Sequence, residues 1–94
     1  MLREIQDTAE LGRVIRAVRV AQGVRQEDLA AMVPASHVFI IDVERGKPTA
    51  HIGKVLALLH ELGIRVTCDV PEEARALLDA VRKPGRASKS RRRG

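Results

Sequence analysis

The sequence predicts an all-α domain that ends in one C-terminal β-strand and a disordered basic tail. Three observations carry that prediction. Apolar residues recur at helical spacing in several separate stretches, one stretch alternates with period two, and the last residues hold nothing aliphatic larger than Ala87. A chain of 94 residues suits one core and leaves little for a second. That core is aliphatic, because 45% of the residues are hydrophobic while Phe39 is the one aromatic.

Residues 1–10 read as an N-terminal arm, and residues 11–63 as the helical domain. In the first helix Leu11, Val14, Ile15, Val18 and Ala21 form an i, i+3, i+4, i+7 stripe, with Thr8 as N-cap and Gly23 as the stop. A short second helix is predicted from Gln26 to Met32, with Glu27 and Asp28 well placed in its first turn. Pro34 ends it by disfavouring helical geometry in Val33. Ser36 caps a third helix that runs to about Arg45 and closes at Gly46, despite its β-branched content. A fourth opens at Thr49 or Ala50, buries Ile52, Val55, Leu56, Leu59 and Leu62, and stops at Gly63. Over 64–70, Ile64, Val66, Cys68 and Val70 alternate with Arg65, Thr67 and Asp69, the signature of a strand. Residues 71–83 form a C-terminal helix, with Pro71 at N1 and Ala74, Leu77, Leu78 and Val81 on one face. Residues 84–94 are expected to form the disordered tail.

The net charge of +5 sits in that tail. Arg86, Lys89, Arg91, Arg92 and Arg93 have no acid among them, and residues 1–85 carry twelve basic and twelve acidic side chains. The high overall basicity therefore says little about the folded part. The single Cys68 excludes an intrachain disulfide and a multi-thiolate zinc site, and His37, His51 and His60 lack ligand spacing. No metal and no cofactor is expected. Without a Gly-rich phosphate loop or a G-x-S-x-G elbow, catalysis is not expected either. The scarcity of aromatics argues against modules that stack bases on exposed rings. No apolar run approaches a membrane span, and Met1-Leu2-Arg3-Glu4 lacks a signal-peptide apolar region, so a soluble, cytoplasmic protein is expected.

Residues 11–63 resemble the helix-turn-helix domain of the XRE, or Cro/phage-repressor, family. The resemblance is carried by Leu11-Gly12, Ile15-Arg16, Arg19, Gly23, Gln26-Glu27-Asp28-Leu29-Ala30, Ser36, Ile40 and Glu44-Arg45-Gly46-Lys47. The continuation Lys47-Pro48-Thr49, then Leu62-Gly63-Ile64 and a strand, looks like HipB-type antitoxins, whose chains pair through such a strand. Three positions depart from the pattern. Pro34 stands where the turn often has Gly, Arg25 where Ser or Thr is usual, and Ile41 at a commonly polar position.

The resemblance implies a lambda-repressor-like fold that lays its third helix in the major groove of double-stranded DNA at a palindromic operator. His37, Val38 and Asp42 map to base-contacting positions, with Ser36 and Ile41 beside them. His37 is expected to donate to guanine N7 or O6, Val38 to touch a thymine methyl, and Asp42 to accept from cytosine N4. Arg25, Gln26, Arg45 and Lys47 are placed for phosphates. Arg19 and Glu44 match a structural ion pair. Ile64, Val66, Cys68 and Val70 are expected in the homodimer strand. A HipA-like kinase toxin is the implied partner. Two other readings stand beside this one: a free-standing XRE regulator, and a protein-interaction module that uses Val38 and Ile41 as an apolar docking surface.

Overall fold

The computed structural model describes residues 1–81. Among them are five α-helices: α1 (Thr8–Ala21), α2 (Gln26–Met32), α3 (His37–Glu44), α4 (Ile52–Glu61) and α5 (Arg75–Ala80), the last preceded by a 3₁₀ turn, Glu72–Ala74. The basic tail predicted for 84–94 lies outside the described residues.

The local chemistry of the chain sets the helix ends. Asp7 caps α1, its Oδ1 accepting from the Glu10 amide at 2.8 Å. Thr8, predicted as that cap, is the first helical residue, and its hydroxyl donates to the Gly46 carbonyl at 2.7 Å. The carboxylate one residue earlier has the reach to the free amide, which leaves the hydroxyl for a tertiary bond. Ser36 caps α3, with Oγ accepting from the Phe39 amide at 3.0 Å. His51 caps α4 in place of the predicted start at Thr49 or Ala50, the lone pair of its Nδ1 accepting from the Lys54 amide at 3.2 Å.

The far ends of α1, α3 and α4 share one closure. After α3, Gly46 adopts φ +85°, the Gly46 amide donates to Val43 and the Lys47 amide to Asp42. A Cβ at Gly46 would lie 2.5 Å from the Ala9 Cα, so the turn needs glycine for its conformation and for its contact with α1.

The four N-terminal helices bury one cluster: Ile15, Leu29, Ala30, Val33, Ile40, Val43, Val55, Leu58, Leu59 and Leu62. Ile15, Leu29, Ile40 and Leu58 are fully buried, each contributing roughly 1.5–3 kcal/mol by leaving water. Leu11, Val14 and Val18 on α1 are half-buried and Ala21 is exposed. In α4 the buried stripe runs i, i+3, i+4, i+7 from Val55, so Leu58 is inside while Ile52 and Leu56, predicted as buried, are exposed. Ile52 opens the helix and Leu56 is turned about 100° away from Val55.

Residues 64–70 adopt no regular secondary structure and belong to no ladder among the described residues. Ile64 is half-buried against the core, whereas Val66, Cys68 and Val70 are exposed. The alternation is real in the sequence, but a ladder needs a second strand, and the described chain supplies none. The predicted helix over 71–83 is shorter. Pro71 precedes the 3₁₀ turn, the α-helix begins at Arg75 and ends at Ala80, and none of its residues is buried. Residues 82–83 lie outside the described segment. With no core beneath Leu77 and Leu78, a helix this short lacks the packing that usually sustains one.

Candidate nucleic-acid interface

Helices α2 and α3 pack on one another across the turn at 33–36, and α3 packs also on α1. Gly12 permits the second contact. A Cβ there would sit 2.5 Å from the Glu44 carbonyl and 2.6 Å from that of Val43. Bare backbone at this point draws α1 onto the C-terminal turn of α3 and fixes the tilt of the helix.

A buried polar group ties the three helices together. Glu44 accepts from Arg19 Nε at 2.5 Å and Nη2 at 3.1 Å, and Arg19 Nη1 donates to the Val24 carbonyl at 2.8 Å. Both residues are buried, with relative exposures of 8% and 7%. Arg16 approaches Glu44 from α1 at 3.9 Å. The pairing of two charges, with hydrogen bonds to the remaining lone pairs and protons, is what makes their burial tolerable.

Gln26 extends the group to the surface. Its Nε2 donates to Glu44 Oε1 at 2.9 Å, and its Oε1 lies 3.0 Å from His37 Nε2. The side chain read as a phosphate ligand thus spans from the core to the first residue of α3, and its second amide hydrogen is the donor left for a phosphate. No sequence spacing announces this network, because residues 19, 26, 37 and 44 stand on three different helices.

On the outer face, Ser36 and His37 are exposed, Val38 is 63% exposed, and Ile41 and Asp42 are half-buried. Ile40 and Val43 point into the core. Phe39 is half-buried against that core, with Lys54 Nζ 5.9 Å from its ring centre. Cations flank the face. Lys47 Nζ lies 3.4 Å from Asp42 Oδ2, and Arg45 is exposed. Arg25 stands before α2, 3.0 Å from Asp28 and 3.7 Å from Glu27. The hydrogen bond from Arg25 holds the Asp28 carboxyl below the usual carboxylate range, and the same bond raises Arg25. Both groups are solvent-exposed, so this charge is partly matched before any phosphate arrives. Among the described residues no three His, Cys, Asp or Glu side chains gather to hold a metal, and no helix is long and apolar enough to cross a membrane.

Two short helices packed across a tight turn, the second backed by α1 and presenting its outer face, make a helix-turn-helix module. The chain is 43% identical over 75 residues to y4mF, an uncharacterized HTH-type transcriptional regulator of Sinorhizobium fredii (strain NBRC 101917 / NGR234), across 80% of this chain and 99% of that one. This chain belongs to the HTH-type transcriptional regulators, and its fold is consistent with the XRE type. No family model matches it. Among solved structures it is similar to HipB in the HipB-O4 20mer complex, with a TM-score of 0.67 and 21% identity over 74% of this chain and all of that one. A chain of the HipA-HipB-O2-O3 complex gives the same values. At that identity the likeness is one of fold.

Proposed function

We propose that this chain is a dimeric, sequence-specific DNA-binding repressor, the HipB-like antitoxin of a toxin–antitoxin pair that controls its own operon together with a HipA-like kinase toxin. The observation that carries DNA binding is the outer face of α3. His37, Val38 and Asp42 stand on the outer face of a helix whose C-terminal end is held by the Arg19–Glu44 pair, with Arg25, Arg45 and Lys47 around it. An α-helix of this kind fits the major groove, where side chains meet base edges while flanking cations and amide donors hold phosphates. Ser36 and Ile41 border the same face, and Gln26 brings its free amide hydrogen to the rim. Residues 64–70 supply the dimer contact. Val66, Cys68 and Val70 are exposed in one chain, and pairing with the same segment of a second copy covers them and fills their backbone hydrogen bonds. The two-fold axis so produced matches a palindromic site.

The antitoxin role is supported by the fold likeness to HipB, one of whose solved structures also contains HipA. It is supported too by the Lys47-Pro48-Thr49 and Leu62-Gly63-Ile64 runs. A gel shift on the DNA upstream of the protein's own reading frame tests the first claim, with a salt-sensitive, sequence-selective complex as the expected result. Co-purification from the native operon tests the second, a kinase-like protein being the expected companion. If the kinase is absent and the shift remains, the chain is a free-standing regulator. Exposed Val38 beside Ile41 favours one other reading, a protein-docking helix, which absence of any DNA shift would leave standing.

A further inference from the structure

We propose that His37 recognises an exocyclic amine in the major groove, that of adenine N6 or cytosine N4, and not guanine; this rests on α3 being the DNA-reading helix. The argument begins at Glu44, buried and paired with Arg19. Both of its oxygens accept from the Arg19 guanidinium, and an ion-paired carboxylate has no hydrogen to donate. Gln26, 2.9 Å away, must therefore turn its amide nitrogen toward Glu44. Its amide oxygen then faces His37, and the ring nitrogen 3.0 Å from that oxygen must be a donor. In its neutral form the His37 ring accordingly carries its one proton on Nε2, which leaves Nδ1 as a bare acceptor. Nδ1 has no protein partner among the described residues, and the side chain is exposed.

Guanine offers O6 and N7 to the major groove, and thymine offers O4. Each is an acceptor and leaves Nδ1 unmatched. Adenine and cytosine each offer an amine hydrogen. The buried ion pair, relayed through one glutamine, thereby sets the polarity of a surface contact that sequence alone assigns to guanine. Gln26 acts here as a positioning residue and His37 as the specificity determinant.

Nitrogen-detected NMR of the full chain at about pH 8, above the range in which histidines ordinarily titrate, reads the tautomer directly. The expected result is the Nε2–H form for His37, with the bias lost in Gln26→Leu. The Nδ1–H form in the wild type overturns the proposal. A double-stranded DNA library with randomised positions reads the consequence. Wild type should enrich adenine or cytosine over guanine and thymine at one position per half-site, by roughly five- to a hundredfold. His37→Ala should erase that preference alone, and His37→Lys, which only donates, should turn it to guanine. Guanine enriched by the wild type overturns the tautomer proposal while DNA binding stands. No binding to any duplex overturns both.

Discussion

Arg19 and Glu44 show how one pair of side chains serves stability and geometry together. Removing either leaves its partner buried and unpaired, which costs roughly 3–5 kcal/mol. Arg19→Ala should lower the urea midpoint accordingly, whereas Arg19→Lys should recover part of the loss by keeping the charge without the forked geometry. Gly12 carries the same helix contact on the backbone. Gly12→Ala pushes a methyl into the Glu44 and Val43 carbonyls and should cost about 2 kcal/mol, seen calorimetrically as a fall in Tm of roughly 10 °C. On the outer face, Asp42 shares its carboxylate with Lys47. Asp42→Ala should cost about 1–3 kcal/mol on the operator and relax preference at one base pair per half-site, while Lys47→Ala should weaken all sequences about equally. A competition titration against mutated operators separates the two.

At the scale of elements, α2 and α3 follow the predicted limits because their signals are local: acids in the first turn of one, a serine cap and a closing glycine on the other. The start of α4 was not legible in this way, since a histidine cap has no strong sequence signature. Segment 64–70 is the element whose state depends on something outside the described chain. If it pairs with its copy, Val66→Asp places a charge in the shared apolar face and Thr67→Pro removes a ladder donor. Sedimentation should then find monomers in both variants, with weaker operator binding. An unchanged dimer in both would move the interface to other apolar surface, of which exposed Leu77 and Leu78 on α5 are the nearest in the chain.

Taken whole, the molecule separates its charge from its frame. The described residues 1–81 hold ten basic and twelve acidic side chains, so the chain's positive excess belongs to residues beyond them. Under the proposed function, long-range attraction to phosphates is expected from the terminal cations, and sequence choice from α3. Deleting 86–94 removes five cations and should flatten the slope of log affinity against log salt by up to roughly four units per chain, at about 0.9 per phosphate neutralised. Non-specific affinity should fall and the preferred operator should not change. Superimposable salt titrations of full-length and truncated protein would show that the tail serves solubility or a partner protein instead.

What the sequence determined by itself was whatever short-range physics controls. Periodicity marked Ile15, Val55, Leu59 and Leu62 for the core, and caps and glycines set most of the helix limits within a turn. The Gln26–Leu29–Ala30 and Glu44–Arg45–Gly46 spacing made the helix-turn-helix resemblance readable. Only the tertiary structure decided what His37 can offer to a base. The proposed proton on its Nε2 rests on an amide eleven residues away and a carboxylate beyond it, brought within 3.0 Å of their neighbours by the packing of α1, α2 and α3. Hydrogen-bond polarity passes along such a relay through space, and no residue spacing in the chain encodes it.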